Sequence, residues 1–153
     1  MFDTIAGLPL HPLVVHAVVI LLPTACLVTV AVAVRPVWRR FAPAVVALNA
    51  TVMVAAFVAT QSGEKLEHRI RQFSQPPGLA GHAEWGKRLM LLSVALFVGA
   101  VIMWVTRDRR ALATVVAVVA VVGALVTIGL TVYVGHSGAT VVWKDTITNT
   151  KAP

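Results

Sequence analysis

Four apolar runs constrain this chain more than any other feature. They cover about residues 12–34, 41–61, 83–105 and 111–135. Each meets the roughly 20 residues that a helix needs to cross a hydrocarbon core. The first, second and fourth carry no Asp, Glu, Lys or Arg. Val is abundant in all four, but an isolated strand in lipid would leave its backbone groups unpaired, so the runs must be helical. Only 12% of the 153 residues are charged, against about 25% in soluble domains. The expected fold is all-α, an integral membrane four-helix bundle forming a single domain over residues 1–153.

The net charge of +7 would suggest nucleic acid in a soluble protein. Here the basic residues are placed otherwise. Arg35, Arg39 and Arg40 fall between the first two spans, and Arg107, Arg109 and Arg110 between the last two. Short arginine-dense turns face the cytoplasm. Both termini and the connection 62–82 are then expected to be extracytoplasmic, although that connection also carries Lys65, Arg69 and Arg71. The first run lacks the basic start of a secretory signal and reads as a retained span. Cys26 is the only cysteine, so no disulfide can form within the chain.

The five histidines, His11, His16, His68, His82 and His136, all map to the outer half. At about 1.5 Å rise per residue, His11, His82 and His136 come out nearly level at the outer boundary, with His16 about 8 Å deeper. An imidazole in hydrocarbon is costly unless paired, which makes His16 a functional candidate. His11 and His16 are five steps of about 100° apart, so they face different neighbours. His11 reads as a boundary residue and Pro12 as a first helical residue. His136 reads as a helix C-terminal cap ahead of a polar, Thr-rich tail. Gly86, four residues past His82, offers room for a flat ligand or a close helix. His68, beside Arg69, reads as solvated. Asn49 is expected to hydrogen-bond between helices. Trp85 and Trp143 fit an outer aromatic belt, and Trp38 and Trp104 an inner one.

A duplicated hairpin shows faintly. "QSGEKLEHR" follows the second span and "HSGATVVWK" the fourth, and His11 or His82 stands near the start of each pair. Two such copies entering from one side would be related by an axis along the membrane normal.

With "LPLHPLVVHAVVILLP", "SGE", "GHAEWG" and "GHSGATVVW" in view, the chain resembles a family of small bacterial four-span membrane proteins grouped as a domain of unknown function. That family opens on an HPL-x-VH segment and closes on a GHSGA segment followed by an aromatic. The resemblance implies a multi-pass protein of the bacterial inner (plasma) membrane. Some relatives are joined to Rieske-type iron–sulfur domains, which implies membrane redox chemistry. His16, His82 and His136 match the family's histidine positions. Ala17 stands where many relatives have an aromatic.

These readings leave three functions open. One is a b-type haem electron-transfer protein with ligands drawn from His16, His82 and His136, the pair His82–His136 being level; bundle cores hold such cofactors between facing helices. A second is an outer-face zinc or copper site built from His11, His82, His136 and Glu84. A third is a non-catalytic membrane subunit or scaffold. No hydrolase or transferase motif is present. The expected partners are the lipid bilayer and either a redox partner protein or further copies of the chain, with no nucleic acid.

Overall fold

The computed structural model describes residues 4–150. A two-residue antiparallel hairpin, β1 (Thr4–Ile5) with β2 (Leu8–Pro9), leads into four helices. These are α1 (Leu10–Val34), α2 (Ala42–Arg71), α3 (Leu79–Val105) and α4 (Arg110–Asn149), with a 3-10 turn at Pro36–Phe41 before α2. All four helical segments are long and apolar enough to cross a membrane. Helices α1 and α3 each pack against both α2 and α4, and α1 and α3 meet lightly across the diagonal. The result is a four-helix bundle. The arginine turns close one end and the histidine-bearing helix starts lie at the other.

The helices run further than the apolar runs. The second ends at Arg71 rather than near residue 61, and the fourth continues to Asn149 rather than stopping near 135. Much of the expected outer connection is therefore helix, and the irregular link shrinks to residues 72–78. Hydropathy marks where the lipid stops, whereas a helix continues through polar residues that satisfy its ladder. At 40 residues, α4 is about 60 Å long, roughly twice the hydrocarbon thickness. His136 lies well inside it and is not a C-terminal cap. Helix α1 starts at Leu10, so Pro12 is its third residue rather than its first. The first turn lacks intrahelical N–H partners in any case, so proline costs nothing there.

The core repeats. On α2 the buried positions Asn49, Val52, Ala56 and Ala59 have counterparts on α4, each 75 positions later, in buried Ala124, Thr127, Thr131 and Val134. On α1, buried Val18, Leu22, Thr29 and Val32 correspond at a spacing of 71 to buried Leu89, Ser93, Ala100 and Met103 on α3. The two hairpins thus bury the same helical faces, as a duplicated hairpin predicts. One buried polar contact ties α1 to α2: Asn49 Nδ2 donates to Thr29 Oγ1 at 3.0 Å and to the Val45 carbonyl at 2.9 Å. The interhelical bond expected of Asn49 is present.

Candidate functional site

The two hairpins meet at the histidine end. His11 is in the first turn of α1, and His82 in the first turn of α3, where its N–H donates to the Gly78 carbonyl at 2.9 Å. Both are half-buried. Each imidazole lies on a glycine of its own hairpin's second helix. A Cβ added at Gly63 would come within 2.9 Å of His11 Nδ1 and Cε1, and one at Gly138 within 2.8 Å of His82 Cε1. No other residue type fits beneath these rings without displacing them. The repeat extends to this contact, since His11 and His82 are 71 positions apart and Gly63 and Gly138 are 75 apart.

Hydrogen bonds fix the tautomers. His11 Nδ1 is 2.8 Å from the Ala59 carbonyl, which can only accept, so Nδ1 carries the proton. His82 Nδ1 is 3.0 Å from Ser137 Oγ, whose own hydrogen goes to the Val134 carbonyl at 2.9 Å. That hydroxyl accepts from His82, so His82 is also protonated at Nδ1. In the neutral form of each ring Nε2 is then the nitrogen left open to a metal. They face each other across the bundle diagonal with centroids 6.2 Å apart and planes at 78°.

Around this pair the surface is charged and internally paired. Lys87 Nζ reaches Glu64 Oε1 at 3.0 Å, joining α3 to α2. Arg71 pairs with Glu67 at 2.7 Å and Arg88 with Glu84 at 3.2 Å. These pairs are exposed apart from the half-buried Glu67, and such surface pairs contribute little stability. Trp85 packs edge-on to Tyr133 at 5.3 Å, closing the seam between α3 and α4, with Arg88 over its indole at 4.4 Å.

Of the expected ligands, the structure brings His11 and His82 together. His16 is exposed and bonds back to the Pro12 carbonyl of its own helix. His136 is exposed, and Glu84 is exposed and paired with Arg88. His68 is exposed beside Gln72. Among the described residues, no group of three or more His, Cys, Asp or Glu is placed to hold a metal ion. Gly86 has no heavy atom within 4 Å of its would-be Cβ, so no neighbouring helix presses on it. The glycines in close contact are Gly63 and Gly138. The Ser-Gly repeat marked them, but only as helix-end residues.

No curated protein and no solved structure matches this chain. A family model does. With four membrane-length apolar helices and two histidine–glycine contacts repeated in two hairpins, the chain matches over residues 7–151 the family described as Predicted membrane protein (DUF2231), and it belongs to that family.

Proposed function

We propose that this integral membrane protein carries electrons on a b-type haem held by His11 and His82 at its extracytoplasmic end. The observation that carries the reading is the approach of two Nδ1-anchored imidazoles, from diagonal helices, to a centroid distance of 6.2 Å. The donor chemistry fits. Two imidazole nitrogens fall short of the four ligands of a structural zinc site, while a haem iron takes its axial ligands from side chains such as these. The helices that supply no imidazole present Gly63 and Gly138 at the same level, which leaves room for the two rings themselves. The ligand pair is thus His11–His82, rather than His82 with His136 or His16.

A haem held by His11 and His82 would supply one-electron redox chemistry. The chain's own groups set its surroundings. The Ala59 carbonyl and Ser137 hydroxyl orient the rings and, by accepting from Nδ1–H, make each Nε2 a stronger donor. The arginine turns favour an orientation with this end outside the cell, where a redox partner protein has access.

The test is a visible spectrum of protein purified in detergent from haem-supplemented cells, before and after dithionite. A Soret band and a sharpened reduced α-band are expected, lost in His11→Ala and in His82→Ala and kept in His16→Ala and His136→Ala. A colourless wild type, or a spectrum indifferent to His11 and His82, overturns the reading. The second reading is a non-catalytic subunit in which the two histidines clamp the helices through Gly63 and Gly138. It is favoured by the same close ring–glycine contacts and is what a colourless, stably folded protein would leave.

A further inference from the structure

The opposite end of the bundle is chemically distinct and independent of the haem reading. Six of the thirteen basic residues gather there in two short turns, with Asp108 the only acid among them. Arg39 crosses from one turn to the other, its Nη1 donating to the Arg107 carbonyl at 3.4 Å. Between the turns lies an open cleft of about 690 Å³ lined by Arg39, Arg40, Arg107, Arg110 and Asp108. Asp108 is held beside Arg107 at 3.6 Å, so four guanidinium groups face one carboxylate. Arg39 and Arg107 also line an adjoining notch whose other walls include Ala33, Met103, Ala113 and Val116. That notch is small, about 10 Å³, room for about one water. Exposed Val37, Trp38, Phe41 and Trp104 surround the same end, and such aromatics sit at headgroup level.

We infer that this cleft binds the phosphodiester headgroup of an anionic membrane phospholipid, with the lipid's acyl chains along the exposed apolar side chains at this end. A guanidinium matches two phosphate oxygens at once and is weakly hydrated, which suits it to a partly dry site. Basic pockets between membrane helices recognise acidic headgroups for the same reason. The favoured source is a lipid rather than a free anion because exposed Val37, Trp38, Phe41 and Trp104 surround the cleft and because it caps four membrane-length helices.

The experiment is native mass spectrometry of the full chain in mixed micelles holding phosphatidylglycerol and phosphatidylcholine in equal amounts. Retained phosphatidylglycerol is expected to exceed phosphatidylcholine by about tenfold, which corresponds to about 1.4 kcal/mol. Arg39→Gln with Arg107→Gln should remove most of that preference. Arg35→Gln should keep it, because Arg35 is stacked on Trp38 at 4.6 Å and does not line the cleft. Excess inorganic phosphate should leave the bound lipid in place. Equal retention of both lipids by the wild type overturns the proposal, a comparison that needs no variant to fold. Undiminished preference in the double variant overturns it as well. Displacement by inorganic phosphate would make the cleft a free-anion site and overturn the lipid assignment.

Discussion

Gly63 and Gly138 set what can stand above them. Replacing a helical glycine by alanine ordinarily gains up to about 1 kcal/mol in helix propensity. At these two positions the new methyl meets an imidazole at 2.9 and 2.8 Å, so the ring must swing away and release its Nδ1 bond. At Gly86 nothing lies within 4 Å. Gly63→Ala and Gly138→Ala are therefore expected to be less stable than Gly86→Ala by about 1–3 kcal/mol, the usual cost of overpacking. Thermal unfolding in detergent measures the difference, and equal stability of all three variants would show that the rings do not rest on glycine. Residue chemistry at this site was partly legible in the sequence. The spacing put His11 and His82 at one height and turned His11 away from His16. It did not tell which of the level histidines faces inward, because the spans are apolar all round and their sequence marks no inward face. His136 shows the same limit. It was level with His82, yet its neighbour Ser137 is the residue that reaches the ring.

Among the elements, the α1–α2 pair carries a polar contact that the α3–α4 pair lacks. Thr29 and Asn49 are hydrogen-bonded in the first hairpin, and their counterparts Ala100 and Ala124 are both alanine. The second hairpin instead buries Thr127 and Thr131, whose hydroxyls return to carbonyls of their own helix at 2.8 and 2.7 Å. Only the first arrangement couples two helices. A double-mutant cycle of Asn49→Ala with Thr29→Val should give a coupling of about 0.6 kcal/mol, and no more than about 1.7, as for other interhelical bonds in membranes. Zero coupling in reversible detergent unfolding would mean that the bond adds nothing to its separate contacts. Asn49 was readable in advance because a lone amide deep in an apolar run has few other uses. Helix ends were not readable, since Gly63 read as a stop while the "EKLEHR" and "WKDTITN" segments carry no Gly or Pro and continue their helices.

The whole molecule is two hairpins that bury equivalent faces and present equivalent histidine–glycine contacts at one end. A repeat of this kind fixes relative direction, because both hairpins enter from the same side. It does not fix which side that is. The histidine end carries Lys65, Arg69, Arg71, Lys87, Arg88 and Lys144, but spread along helices α2, α3 and α4, whereas six arginines are packed into two short turns at the other end. On the expectation that short turns of that density stay in the cytoplasm, the proposal puts the imidazole pair outside. Labelling with a membrane-impermeant thiol reagent on intact cells tests both points. Native Cys26 is fully buried and gives a low background. Ser74→Cys, in the link between α2 and α3, should react with cells intact. Asp108→Cys, in the second arginine turn, should react only after lysis. The reverse pattern would invert the orientation and move the proposed electron exchange to the cytoplasmic side. Reaction of both cysteines in intact cells would separate the two turns across the membrane and break the parallel repeat on which the shared histidine site depends.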